Sequence, residues 1–238
     1  MRDRKDTPNT NFTDVQLTMI ILDIFIAGGQ TTSTTLDLAF MMMILRPDVQ
    51  GKVHEEIDAQ LTFDTMPHYE DRVKLPYVEA FLLEVHRFFS IVPINGPRRA
   101  LTDCTLGGYR VPKDTTVFMG MRSVHMDPTH WGDPEVFRPE RFLNEERQIV
   151  NTERLLAFGQ GKRRCLGETL ARSCLFTFFV GVMKRFCLRK PKDDGGMVDS
   201  DMAPSMVLKP GITLSPKPYH VVFQPRKQDD KNLQRDEL

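Results

Sequence analysis

Residues 17–45 form an apolar run with few interruptions. Thr13 and Gln16 precede it as the T-x-x-Q form of a capping box, and Arg46-Pro47 stops it, so the pattern predicts one helix over residues 14–46. At about 1.5 Å per residue such a helix is roughly 50 Å long. Apolar residues occupy both of its faces, which normally means burial at the centre of a larger protein. A membrane span is the competing reading. Asp23, residues 30–35 and Asp37 divide the run into pieces of about 10–14 residues, the length of a buried core helix, and this favours burial. Val49, Val53, Ile57 and Leu61 recur at every fourth position, predicting an amphipathic helix over 48–61. A third helix is expected over 77–89, started by Pro76. After Val92 the texture changes: Pro93, Pro97, Pro112, Gly107-Gly108 and Thr115-Thr116-Val117 predict short strands and turns over 92–118. A Pro-, Asp- and aromatic-rich loop follows over 125–144, then a helix over 166–186, a solvated polar loop over 191–200 and a final hairpin over 207–223. The strongly charged residues 226–238 read as a disordered tail.

Composition narrows the function classes. Thirty-two basic and 32 acidic residues give zero net charge and no footprint for nucleic acid. With 40% hydrophobic and 27% charged residues the chain is globular in composition, and its 238 residues suit one large domain or two small ones. No repeat or domain boundary is visible. The charged residues 1–6 resemble neither a signal peptide nor an anchor. Cys104, Cys165, Cys174 and Cys187 are too few and too scattered for a disulfide framework, and no C-x-x-C pair occurs. The six histidines lack metal-ligand spacing and read as surface or core residues. Thirteen methionines and sixteen phenylalanines suit a protein that holds something apolar.

The most informative segment is Phe158-Gly-Gln-Gly-Lys-Arg-Arg-Cys165-Leu-Gly167. Its glycines let backbone approach a flat object closely. Lys162, Arg163 and Arg164, together with the start of the following helix, are surroundings that favour an anionic sulfur, fit to be a nucleophile or a metal ligand. Cys104, Cys174 and Cys187 carry no such pattern and read as small buried hydrophobes.

The spacing Phe158-x-x-Gly161-x-Arg163-x-Cys165-x-Gly167 resembles the haem-binding signature of the cytochrome P-450 haem-thiolate monooxygenases. Three further motifs occur in that family's order. Ala27-Gly28-Gly29-Gln30-Thr31-Thr32 resembles the oxygen-binding segment of its long central helix, Glu84-Val85-His86-Arg87 its E-x-x-R helix, and Pro139-Glu140-Arg141-Phe142 its P-E-R-F loop. The resemblance covers about residues 12–225, and the texture is nearest the animal microsomal group. It implies a mainly α fold with small β-sheets, corresponding to the C-terminal half of the P-450 fold: a partial catalytic domain over 1–225. Family members are about twice as long. The chain is therefore expected to be a fragment without the usual N-terminal membrane anchor, the distal lid helices and one propionate-binding helix, from a parent on the cytosolic face of the endoplasmic reticulum membrane. The ending Arg235-Asp-Glu-Leu238 resembles a lumenal retrieval signal and is taken as coincidence.

The resemblance also implies roles. Cys165 would be the axial thiolate of haem b, favouring cleavage of bound dioxygen. Phe158, Gly159, Gly161, Gly167, Ala27 and Gly28 would surround the cofactor. Arg98 and Arg163 would bind its propionates, with Arg99 as the register alternative to Arg98. Glu84, Arg87 and Arg141 would form a buried network beneath the haem, although on residues alone Glu84 and Arg87 could equally be an exposed i,i+3 pair. The implied reaction inserts one atom of dioxygen into a lipid, terpenoid, steroid or xenobiotic. Electrons would come from NADPH through cytochrome P-450 reductase, with cytochrome b5 as a further partner. Lys162, Arg163, Arg164, Lys184 and Arg185 would present a basic patch to the reductase. Thr31 would position water for proton delivery; the plainer reading of Thr31 and Thr32 is back-bonding to the previous helical turn, with a local distortion of the helix. Gln30, where many relatives carry an acid, is either part of that relay or a structural amide. Ile26, Ala27, Val92, Asn95, Gly96, Ile212 and Thr213 would line the substrate pocket. Two other classes stay open: a non-catalytic remnant, and a haem-thiolate isomerase or dehydratase. Thr31 favours the monooxygenase over the latter.

Overall fold

The computed structural model describes residues 12–191 and 202–226. Apart from Pro191 and Arg226, the expected polar loop over 191–200 and the tail over 226–238 lie outside the described residues.

Helix α1 (Asp14–Leu45) starts where Thr13 accepts a hydrogen bond from the Gln16 amide at 3.1 Å. It ends because Arg46 precedes a proline and is pushed out of helical geometry, to φ −126° and ψ 75°. The same Pro47 then opens α2 (Pro47–Gln60), where its missing amide costs nothing. Pro76 opens α3 (Pro76–Phe89) in the same way. Two short helices, α4 (Met121–His125) and α5 (Pro128–Trp131), precede the last long one, α6 (Glu168–Arg185). The segment over 125–144 is thus not all loop. Asp127 caps α5 by accepting from the Thr129 amide at 2.9 Å, and residues Pro139–Phe142 make a 3-10 turn.

Among the described residues, the strands form four two-stranded antiparallel pairs. Strand β1 (Ile94–Arg99) pairs with β4 (Thr116–Gly120), with a register shift between Asn95 and Arg98 that accommodates Pro97 and its missing donor. Strands β2 (Cys104–Leu106) and β3 (Tyr109–Val111) form a tight hairpin on Gly107 and Gly108, both at positive φ (56° and 84°), as its two-residue turn requires. The expected final hairpin is only partly right. Strand β6 (Leu208–Lys209) does turn back onto β7 (Ser215–Pro216), but β8 (Val222–Pro225) leaves it to pair with β5 (Phe186–Arg189), which continues directly from α6. Contact of the Phe186 and Phe223 rings, 5.8 Å between centroids, fixes that choice. Arg226 extends it by donating its amide to the Arg185 carbonyl at 2.9 Å, so the charged tail does not begin free at 226.

The core lies where α1, α3 and α6 meet. Met41, Met42 and Met43 of α1, Phe81 of α3, and Phe176 and Phe179 of α6 are buried there, and the rings of Phe81 and Phe179 stack at 5.0 Å. Helix α1 is packed over residues 34–44, while residues 14–30 are exposed throughout in this chain, with Phe25 77% and Ile26 75% exposed. Helix α1 is long and apolar enough to cross a membrane by length and composition alone.

Candidate active site

The loop before α6 is shaped by two glycines. Gly159 and Gly161 take φ of 73° and 75°, open to glycine at little cost. A side chain at Gly159 would also meet the Asn95 amide nitrogen, 3.1 Å from where its Cβ would stand. Gly167, at φ −88°, is ordinary backbone that starts α6. The loop folds back on itself: the Gly159 amide donates to the Leu156 carbonyl at 2.8 Å, and the Cys165 amide donates to the Phe158 carbonyl at 2.7 Å. Cys165 ends up exposed, three residues before the helix.

Two cavities meet at this cysteine. The first, about 210 Å³, is lined by Thr31 and Thr35 of α1, His86 of α3, Val92, Asn95, Phe158, Arg163 and Cys165. The second is a wider groove of about 670 Å³ that shares Arg163 and Cys165 and adds Arg98, Lys162, Arg164 and Arg172. Its one carboxylate, Glu168, is paired with Arg172 at 3.0 Å, so the groove favours anionic groups. Arg98 rather than Arg99 faces it; Arg99 turns to Asp114 at 3.6 Å.

The donor set fits haem. Such a group needs one axial protein ligand, a flat apolar slot and cations for two carboxylates. The two cavities are lined by one thiol, that of Cys165, and the described residues hold no cluster of three or more metal-ligating side chains. Phe158 and Gly159 line the first cavity and would form the slot, and Arg98 and Arg163 line the groove and would be the cations.

Beneath the loop, Glu84, Arg87 and Arg141 come together in the interior. Arg87 donates Nε to Glu84 Oε2 at 2.7 Å and Nη2 to Oε1 at 2.8 Å, a bidentate pair with both side chains fully buried. Arg141 Nε adds a bond to Oε1 at 3.0 Å, and the Arg138 amide another at 2.9 Å. The remaining guanidinium protons meet carbonyls and one carboxylate: Arg87 reaches the carbonyls of His125 and Pro134, and Arg141 those of Trp131, Asp133 and Val136 together with the Asp133 carboxylate at 3.2 Å. The exposed i,i+3 alternative is ruled out by this burial.

Several expected site residues lie elsewhere. Ile26, Ala27, Gly28 and Gln30 are on the exposed part of α1 and do not line either cavity. A Cβ on Gly28 would meet nothing within 4 Å, so no described neighbour demands its small size. Thr31 does line the first cavity, and its hydroxyl also donates to the Ala27 carbonyl at 2.7 Å, so back-bonding and cavity placement coexist. Helix α1 continues unbroken through this turn. Gly96, Ile212 and Thr213 line neither cavity, and Ile212 is fully exposed at the β6–β7 turn. That turn is tied to the cavity wall next door, because the Leu214 amide donates to the Ile91 carbonyl at 2.8 Å. Lys184 drops out of the basic patch: it is buried, with its ammonium on the Thr65 carbonyl. Cys104 is exposed on β2, and Cys174 and Cys187 are only partly buried, so none is a fully buried hydrophobe.

Sequence reading missed Arg172, His86 and His125. Arg172 was signalled only by its i,i+4 spacing from Glu168; no spacing marks the two histidines. Burial pushes His86 down to about 3, with Arg172 and His125 adding to the effect. Burial likewise lowers His125 to about 4, helped by Arg87 and Arg122. A histidine ordinarily titrates near about 6.5, so the unfolded chain takes up protons that the folded chain refuses. Stability is therefore complete above that value and falls as the pH is lowered toward 4. Each pH unit in that window removes up to about 1.4 kcal/mol per buried histidine. Melting temperatures measured between pH 7 and pH 4 should fall steadily, and His86→Leu should flatten the slope; a profile flat over this range would contradict the buried neutral state.

The sequence model described as Cytochrome P450 matches residues 1–223. A probable cytochrome P450 305a1 of Drosophila melanogaster is 46% identical over 230 residues, covering 95% of this chain and 44% of that protein. The farnesoate epoxidase of Bombyx mori is 40% identical over 211 residues, covering 89% of this chain and 41% of that protein. A solved zebrafish cytochrome P450 with abiraterone superposes with a TM-score of 0.80 at 37% identity, covering 91% of this chain and 49% of that one. The chain thus spans less than half the length of the relatives it matches.

Proposed function

Since the chain belongs to the cytochrome P450 family, we propose that it carries the haem-thiolate site of a monooxygenase acting on a small apolar substrate. One observation carries the reading: Thr31 and Cys165 line one cavity, and that cavity continues into a cationic groove through Arg163. Cys165 would hold the haem through its thiolate, with Phe158, Gly159 and Gly161 forming the slot and Arg98 and Arg163 holding the carboxylates. Haem, when bound, supplies the activation of dioxygen. The chain's own residues then have three tasks. The loop backbone fixes the sulfur, through the Cys165 amide on the Phe158 carbonyl. The apolar side chains Val92, Met121 and Leu175 exclude water from the cavity. Thr31, whose hydroxyl proton is committed to Ala27, keeps its oxygen lone pairs to accept a hydrogen bond from water and so to orient it for proton delivery.

The substrate would be a lipid, terpenoid, steroid or xenobiotic; the insect epoxidase among the relatives keeps a terpenoid acid in that range. Electrons would come from NADPH through a reductase docked on Lys162, Arg163 and Arg164, with cytochrome b5 as a second partner, at the endoplasmic reticulum membrane. Thr31 on the cavity wall supports oxygen chemistry over a haem-thiolate isomerase.

The full-length protein, incubated with reductase, NADPH, isotopically labelled dioxygen and apolar candidates, should place one labelled atom in each product molecule. In the same assay Thr31→Ala should lower product formed per NADPH by about tenfold and release hydrogen peroxide instead; a positioned proton donor is typically worth about 10²–10⁴-fold, and mobile water recovers part of it. Gln30→Glu should leave that ratio unchanged, because Gln30 stands outside the cavity. Unlabelled product, or full coupling in Thr31→Ala, would remove the proposed chemistry or the proposed role of Thr31 respectively.

A further inference from the structure

His125 closes α4 with a fully buried imidazole, and both ring nitrogens are engaged. The Leu156 amide lies 2.9 Å from Nε2. A backbone amide can only donate, so Nε2 accepts and the ring proton sits on Nδ1. Nδ1 then donates to Ser90 Oγ at 2.8 Å, and the Ser90 hydroxyl donates onward to the Arg87 carbonyl at 2.8 Å. Arg87 closes the circuit by donating Nη1 to the carbonyl of His125 itself at 2.7 Å. The direction of every bond is fixed by its neighbours, and the ring has one workable tautomer.

The loop end of this circuit matters because of what Leu156 holds. Its carbonyl accepts the Gly159 amide at 2.8 Å, and two residues after it the Phe158 carbonyl accepts the Cys165 amide at 2.7 Å. The buried ion pair Glu84–Arg87 is thereby joined to the cysteine loop by hydrogen bonds and short stretches of backbone, with the imidazole as the only side chain that bonds both α3 and the loop in that path. We propose that His125 is a positioning residue for Cys165: by anchoring the Leu156 amide it sets where the loop presents the sulfur to the cavity. The inference rests on the assignment of Cys165 as haem ligand.

Two substitutions separate this role from a general packing role. In His125→Gln the side chain is long enough to place an acceptor near the position of Nε2, so the Leu156 bond survives. In His125→Asn the amide reaches only as far as Nδ1, so contact with Ser90 survives and the Leu156 amide is orphaned. The readouts, in the haem-loaded full-length protein, are the ferrous–carbonyl absorption that reports a thiolate ligand and hydrogen exchange at the Leu156 amide. His125→Asn is expected to lower the thiolate-ligated fraction and the protection of that amide, each by about tenfold, the scale of orphaning one buried donor. His125→Gln should retain both. Equal behaviour of the two variants, or a greater loss in His125→Gln, overturns the proposal. Should His125→Asn not fold, Ser90→Ala takes its place beside His125→Gln: both keep the acceptor for Leu156, so both should keep the thiolate absorption, and its loss in either overturns the proposal. Failure of the ligand assignment itself is distinct, because wild-type absorption would then persist in Cys165→Ala.

Discussion

Arg87→Ala should abolish accumulation of folded protein. The guanidinium is fully buried and makes two bonds to Glu84 and one each to the carbonyls of His125 and Pro134. Truncation leaves Glu84 with Arg141 and the Arg138 amide, and strands two carbonyls as well. Removing one partner of a buried pair costs about 3–5 kcal/mol, against about 5–15 kcal/mol for the whole stability of a typical domain. Arg87→Lys should fall between wild type and Arg87→Ala, because a point charge keeps the attraction and loses the fork. The double variant Glu84→Ala/Arg87→Ala should be less unstable than the sum of its single variants, since the closest pair is then removed together and Arg141 keeps Asp133 at 3.2 Å. Urea unfolding of the series measures all three. A wild-type midpoint in Arg87→Ala would mean that this network bears little weight.

Much of this was legible in the sequence where a local rule decides the outcome. The proline at 47 ends one helix and opens the next, and Gly107-Gly108 sets a tight hairpin; both effects act within a few residues. The cysteine loop was legible for the same reason, because a ten-residue motif carries its own glycines and cations. Pairing decided by distant partners was not. Strand β8 could be placed on β5 only by knowing that Phe186 and Phe223 meet, and nothing in the alternation of residues 207–223 says so. Lys184 looked like one more surface cation beside Arg185, yet one step around α6 turns it inward to Thr65. His86 and His125 were read only as surface or core residues; their burial is clear, but what their rings face depends on three elements converging from far apart in the chain. The apolar residues of α1 predicted burial within a larger protein, and hydrophobicity alone cannot say which half this stretch of chain itself covers. Residues 34–44 are packed and 14–30 are not.

The largest chemical effect is expected at Cys165. Among the four cysteines it alone lines both the Thr31 cavity and the cationic groove. Cys104 is remote on the β2–β3 hairpin, and Cys174 and Cys187 line neither space. Replacing the thiol by hydrogen removes the proposed thiolate ligand while leaving Gly159, Gly161 and the Phe158 carbonyl to hold the backbone, since the Cys165 amide, not its side chain, makes that bond. The Cys165→Ala protein should therefore fold and lose thiolate ligation. The decisive measurement is the absorption spectrum of the reduced, carbon monoxide-treated full-length protein. The strongly red-shifted band of a thiolate-ligated haem should appear in the wild type and in Cys174→Ala and Cys187→Ala, and be absent from Cys165→Ala. A band that persists in Cys165→Ala, or disappears in Cys174→Ala or Cys187→Ala instead, would contradict the account.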